Sequence, residues 1–347
     1  VSDLPEVPGV LDAGQVAATV AAIAAEQSAD GMLPWWRGGQ LDAWDSVEAA
    51  MALAVGGEHD RAAAALDWLC DRQGATGGFP AEWRDGAVTA PGVESNHAGY
   101  LAVGVRHHGL VTGDERAQER WWPHVRRALD LVTAMQLPTG GIGWALRPDD
   151  TPDDTALLTG NASLLQALRC GIAIAGDRDE PQPHWDLAAA DLQTALTDRP
   201  DAFADRSRFS MDWYYPVLGG ALTGPAARAR LAGSWDAFVV PGLGVRCVAD
   251  RPWVTGAETC ELAIALAAAG QRDAGIEQLA AMQHLRDDDG GYWTGYVYAD
   301  DARWPVERTT WTAAAVVLAA DALSGATPGA RLFTDPARPG QVVGEHR

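Results

Sequence analysis

The segment QGATGGFPAEW, residues 73–83, decides how this chain is read. A glutamine is followed by turn residues, a pair of glycines and then aromatic residues. The pattern recurs as QSADGMLPWW at 27–36, QLPTGGIGW at 136–144 and QHLRDDDGGYW at 283–293. Each copy follows an apolar helical run, at 15–26, 61–72, 124–135 and 274–282. Recurrence at tens of residues is the mark of stacked helical pairs.

A second, more apolar helical segment follows each turn. Six are present: DAWDSVEAAMALAVGG, ESNHAGYLAVGVRHHGLVTG, DDTALLTGNASLLQALRCGIAIAG, SMDWYYPVLGGALTG, TGAETCELAIALAAAG and ERTTWTAAAVVLAADALSG. They are rich in Ala, Leu and Val on most faces, as buried helices are. Most end in glycine, the residue expected just past a helix C-terminus. The helices between them, such as DERAQERWWPHVRRALDLVTAMQ, carry charge along one side. Six buried helices alternating with six amphipathic ones predict an all-α fold, a single-domain (α/α)6 toroid, over residues 1–333. An open stack would need polar capping repeats, and none is visible. Residues 334–347 read as a surface tail.

Composition removes several functions. The net charge is −21, which opposes binding to nucleic acid or anionic lipid. All 26 basic residues are arginine, so Schiff-base and P-loop lysine chemistry are excluded. No apolar run is long enough to span a bilayer. The opening residues lack a basic stretch followed by an apolar one, so a cytoplasmic location is expected. Cys70, Cys170, Cys247 and Cys260 form no CxxC pair and read as reduced thiols, three of them within apolar helical runs. No HxxxH or HxxE spacing supports a metal site, and no nucleotide-binding glycine loop is present.

In a toroid the parallel inner helices open around one mouth, so residues at their starts are the site candidates. These are Asp42, Trp44, Asp45 and Glu48; Glu94, Asn96, His97 and Tyr100; Asp153, Asp154 and Thr155; Asp212, Trp213, Tyr214 and Tyr215; Trp253, Glu258 and Glu261; and Glu307, Arg308 and Trp311. Acids at helix starts also serve as caps. DSVE (45–48) and TGAE (255–258) have capping-box spacing, which favours a capping role for Glu48 and Glu258. DDTA likewise offers Asp153 or Asp154 as a cap. Capping does not explain the aromatic neighbours in LDAWDSVE and MDWYYP. A ring of acids and aromatics suits carbocation chemistry started by a carboxylic acid, and equally suits glycosidic cleavage by paired carboxylates.

The Gln…Gly…Trp repeats resemble the QW motifs of the terpenoid cyclase and prenyltransferase toroid superfamily, which includes squalene–hopene cyclases and protein prenyltransferase β subunits. TPDDTA at 151–156 resembles their DxDDTA acid motif, with Thr151 standing at its first aspartate. The resemblance implies an isoprenoid substrate, with Asp153 as proton donor and Asp154 beside it. Trp44, Tyr214, Tyr215, Trp253 and Trp311 would line the pocket, and Arg308 would face a diphosphate if one is bound. Mg²⁺ enters only with such a substrate, and otherwise no cofactor is expected. Neither the prenyltransferase zinc nor its α-subunit partner is expected. The alternative is a glycosidase of toroidal architecture, in which two of Asp45, Glu94, Asp153, Asp212 and Glu258 act as acid and base or nucleophile. His97, Tyr100 and Glu258 are further substrate-binding candidates. A third reading is a non-catalytic binding toroid. The expected partner is a small molecule, isoprenoid or sugar.

Overall fold

The computed structural model describes residues 4–147 and 149–335. Its α-helices, numbered in chain order, begin with α1 (Ala13–Glu26), α2 (Ala43–Val55), α3 (His59–Asp71), α4 (Ser95–Thr112), α5 (Glu115–Ala134), α6 (Leu158–Asp177) and α7 (Pro183–Asp198). They continue with α8 (Ser210–Leu218), α9 (Gly224–Gly233), α10 (Trp235–Phe238), α11 (Gly256–Ala268), α12 (Arg272–Ala281), α13 (Thr310–Ser324) and α14 (Ala330–Thr334).

The most apolar of these form an inner ring. Helices α2, α4, α6, α8, α11 and α13 each pack on the next, and α13 packs on α2 to close the circle. Nearly every residue of α2 and α13 is buried, as expected of helices covered on all sides. Helices α1, α3, α5, α7, α9 and α12 surround them. The fold is the expected (α/α)6 toroid.

The repeated turns bind neighbouring outer helices. Gln73 Nε2 donates to Gly77 O at 2.9 Å within its own turn and to His124 O on α5 at 3.0 Å. Gln27 does the same between Gly31 O and Arg61 O on α3, and Gln136 between Gly140 O and Ala188 O on α7. Gly77 has φ +99°, and a Cβ there would lie 2.0 Å from Arg127 O on α5. The position therefore needs glycine twice over, for its dihedral and for its clearance. The fourth copy departs: Gln283 bonds Leu279 O, while Thr19 Oγ1 on α1 donates to Gly290 O at 3.0 Å. That contact joins the turn after α12 to the first helix of the chain.

Connections from inner to outer helices are short, such as 56–58 and 113–114. Those from outer to inner helices are long and carry every strand among the described residues. β1 (Gln40–Leu41), β2 (Pro80–Arg84) and β3 (Ala87–Val93) form one antiparallel sheet. β4 (Val239–Val240), β5 (Gly244–Arg246), β6 (Trp253–Thr255), β7 (Gly295–Val297) and β8 (Ala302–Arg303) form a second, sequential one. These sheets are a departure from a purely helical expectation. They wall the face at which the inner helices begin. At the other end α14 packs on α11 and α13, with Gln166 Nε2 reaching Leu332 O at 3.3 Å. Residues 336–347, nearly all of the expected surface tail, lie outside the described residues. No helix among the described residues is long and apolar enough to cross a membrane.

Candidate active site

Carboxylates from α2 and α11, inner helices with α13 between them, meet near the axis of the ring. On α2, Asp42 is the N-cap and accepts from Asp45 N at 2.9 Å, so the capping role expected of Glu48 belongs to Asp42. Glu48 is free for the interior, where its Oε1 accepts from Trp44 Nε1 and from Tyr100 OH, each at 3.0 Å. On α11, beyond α13 in the ring, Glu261 accepts from Tyr215 OH at 2.6 Å and, through its other oxygen, from Tyr214 OH in a shorter contact. The rings interlock too: Trp44 lies 5.1 Å from Tyr100 and 5.8 Å from Tyr215, centroid to centroid.

The electrostatics follow from this crowding. Burial pushes Glu48 up to about 7 from 4.5, against the pull of its indole and phenol donors. Burial raises Glu261 well above the usual range, and the nearby Glu48 adds to the effect. Asp45 is raised the same way, by burial and then by Asp42, Glu48 and Glu261. Unlike Glu48 and Glu261, Asp45 keeps part of its surface exposed. Glu258 is buried, and its Oε2 has no hydrogen-bond partner. Thr255, the residue before α11, makes no side-chain cap, so the second expected capping box does not form either.

A cleft of about 330 Å³ opens beside this cluster, lined by Trp44, Glu94, Trp144, Thr159, Arg206 and Asp212. Asp212 Oδ1 accepts from Thr159 Oγ1 at 2.6 Å, and burial raises its pKa. His97 Nε2 stands 3.7 Å from Glu94 Oε2 and 4.0 Å from Asp42 Oδ1. Asp45, Glu48, Glu94, His97, Tyr100, Trp44, Asp212, Tyr214, Tyr215, Glu258 and Glu261 thus gather on the axis or its mouth. Trp311 joins them through a hydrogen bond to Glu48.

Other candidates lie elsewhere. Asp153 and Asp154 do not open a helix, since α6 starts at Leu158 with no side-chain cap. Asp153 Oδ1 accepts from Thr155 N at 2.7 Å, which holds its pKa below the usual value. Asp154 is exposed and pairs with Arg147 at 3.0 Å. An aspartate held ionised in an open loop is not an alkene protonator. Trp253 belongs to β6, with its Nε1 on Trp304 O at 2.8 Å. Arg308 Nη1 is taken up by Asp287 and Asp289, each at 2.8 Å, which leaves no counter-charge for a diphosphate.

Glu48, favoured from the sequence as a cap, and Glu261, a candidate given no role there, are the residues whose place at the centre of the cluster sequence reasoning did not foresee. Their signal was an acid one turn into a helix otherwise made of Ala, Leu and Val, where a charge is rarely buried without purpose.

No family model matches the chain. Among solved structures, a wild-type glycosidase superposes with TM-score 0.69 at 17% identity, covering 91% of this chain and 99% of its own. The GH63 mannosylglycerate hydrolase from Thermus thermophilus superposes with TM-score 0.61 at 14% identity, covering 87% and 99%. At these identities the likeness concerns the toroid alone. A sequence relative goes further. MMP endo-(1,4)-3-O-methyl-alpha-D-mannosidase of Mycolicibacterium hassiacum is 52% identical over 343 residues, 99% of this chain and 95% of the relative. The terpenoid cyclase and prenyltransferase reading is thereby corrected, and with it the isoprenoid substrate and its Mg²⁺-bound diphosphate. The glutamines of the Gln…Gly turns that suggested it join outer helices of the scaffold. Sharing more than half of its residues with that glycosidase over almost its whole length, the chain belongs to the MMP endo-(1,4)-3-O-methyl-alpha-D-mannosidase family.

Proposed function

We propose that the chain is a glycoside hydrolase that cleaves internal (1,4) bonds between 3-O-methyl-α-D-mannose units. The observation that carries the reading is the axial meeting of Asp45 and Glu48 from α2 with Glu258 and Glu261 from α11, in a chain of this family. Glycosidic cleavage needs one carboxyl that holds a proton and one that removes a proton from water. Asp45 suits the first role, because burial and the neighbouring carboxylates raise its pKa and so favour its protonated form, and it follows Trp44, which lines the cleft. It gives its proton to the bridging oxygen as the bond to the anomeric carbon breaks. Glu258 suits the second, because its Oε2 has a lone pair free for water. The water oxygen bonds to the anomeric carbon and its proton passes to Glu258. Glu48 and Glu261, held by indole and phenol donors, fix the field around both. Acid, water and base complete the proton balance, so no cofactor is required. The cleft's Trp44 and Trp144 offer faces for sugar rings, and Glu94 and Asp212 offer acceptors for hydroxyls.

The test is digestion of an α-(1,4)-linked 3-O-methylmannose oligomer, followed by mass spectrometry of the products. Internal fragments from wild type, and none from Asp45→Asn, are expected. Release of single terminal units, or no release at all, overturns the reading.

A further inference from the structure

A second and larger cavity lies on the same face, away from the axis. It measures about 640 Å³ and runs between the last turns of α1 and the segments that precede α13. Its walls are Trp36, Trp293, Glu26, Glu307 and Arg308, and its floor is made of alanines of α1. From these walls we infer a second glycan-binding site, one that holds sugar units of the polymer beyond those at the axial acids. The inference rests on the glycosidase reading and names a further place where that substrate is held.

The walls are built, not incidental. Glu26 Oε2 accepts from Arg37 N at 2.6 Å, which ties the loop bearing Trp36 to α1. The Trp36 ring lies over Gly39, where a Cβ would stand 2.7 Å from it, so only glycine leaves the indole this position. Opposite, the Arg308 guanidinium sits 5.7 Å from the Trp293 ring centroid and is pinned by Asp287 and Asp289. Two fixed indoles, carboxylates at the rim and a floor of small residues suit a neutral polyhydroxylated chain. Indole faces take the C–H surface of a sugar, and carboxylates accept its hydroxyl protons. With a net charge of −21, the chain does not favour a polyanion here.

The groove is also joined to the axis by an aromatic row. Trp36 and Trp35 have centroids 6.2 Å apart, and Trp35 and Trp311 are again 6.2 Å apart. Trp35 Nε1 donates to Asp42 Oδ2 at 3.0 Å, and Trp311 bonds Glu48. An endo-acting enzyme must grip the chain on both sides of the bond it cuts. The axial cleft is at the small end of ligand sites, and the groove supplies the missing length.

The experiment compares long and short 3-O-methylmannose oligomers on the full chain carrying Trp36→Ala, Trp293→Ala or Ala25→Arg. Ala25 is exposed on the groove floor, so its arginine obstructs the groove without disturbing the core. The ratio of KM for long to short oligomers is expected to rise about tenfold in each, the loss of one stacking contact of about 1.4 kcal/mol. In parallel, the inactive Asp45→Asn chain is titrated calorimetrically with the long oligomer, with and without Trp36→Ala. An unchanged KM ratio together with unchanged affinity overturns the inference. If wild type cleaves neither oligomer, the functional reading fails on its own. A panel of neutral oligosaccharides and one acidic peptide then decides the groove. Binding of a glycan that Trp36→Ala abolishes supports it, and binding of the peptide alone, or of nothing, overturns it.

Discussion

Two acid-rich regions of this molecule make opposite use of the same side chain. The loop at 149–154 packs four aspartates into six residues. There Asp149 accepts from Thr151, Asp153 accepts from Thr155, and Arg147 answers Asp154. The pKa values of Asp149 and Asp153 fall, chiefly through hydrogen bonds from the threonines. The axial cluster draws its acids from α2 and α11, far apart in sequence, and there burial raises Asp45, Glu48 and Glu261. Solvated carboxylates with donors stay charged and inert. Desolvated carboxylates facing one another must hold protons, and a held proton is what acid catalysis spends. Density along the chain is therefore a poor guide to reactivity, and convergence in space is a good one.

The contrast breaks most directly at Asp45. Asp45→Asn is expected to lower kcat by about 10²- to 10⁴-fold, while Asp153→Asn changes it by less than about twofold. Release of new reducing ends measures both, and the reverse ranking would return the chemistry to the loop. Glu258→Gln is expected to cost on the order of 10²-fold in kcat with the fold intact, as judged by circular dichroism.

Tyr215→Phe sharpens the comparison. It removes one donor from Glu261, whose pKa then rises further, and kcat is expected to fall about tenfold. In the pH–rate profile, a limb governed by this cluster should move to higher pH, and a fixed profile would separate Glu261 from catalysis.

Glu48→Gln reads the same electrostatics through stability. Because Glu48 titrates near 7 when folded and near 4.5 otherwise, the folded chain takes up a proton between those values. Its contribution to stability is full below about 4.5 and is lost as pH rises through about 7. Gln mimics the protonated form, so the variant should gain on the order of 1–3 kcal/mol over wild type at pH 8 and nothing at pH 4. Urea denaturation at both values checks it. The smallest effect belongs to the loop, with the sign reversed. Asp149 is lowered on folding, so Asp149→Asn should lose a little stability above about pH 3.8, and the loss should fade as pH falls through the lower folded value.

Much of the fold was legible because burial writes itself into composition. The apolar runs of α2, α11 and α13 have almost no polar face, and only a ring covered on all sides explains that. The strands were not legible. β1, β4 and β8 have two residues each, too few for an alternating pattern to show. The start of the third inner helix was misjudged, because DDTA has the chemistry of a cap while its aspartate closes a turn four residues earlier. The site was half legible. An acid three residues into a capping box is also an acid on the same helical face as its partner, so Asp45 and Glu48 satisfy both descriptions. Only tertiary placement distinguishes them. The isoprenoid reading failed for a related reason. It took the joints of the scaffold for the signature of a reaction, and a scaffold of this kind hosts unrelated chemistries.

The contact between Gly290 and Thr19 has one more consequence. A linear array of helical pairs has two ends, and each can peel away while the middle stays ordered. Here the turn after the last outer helix rests on the first, so every pair has two neighbours and there is no end from which to fray. Denaturation should then be all-or-none, and the slowest-exchanging amides should extend through the whole inner ring instead of fading toward one terminus.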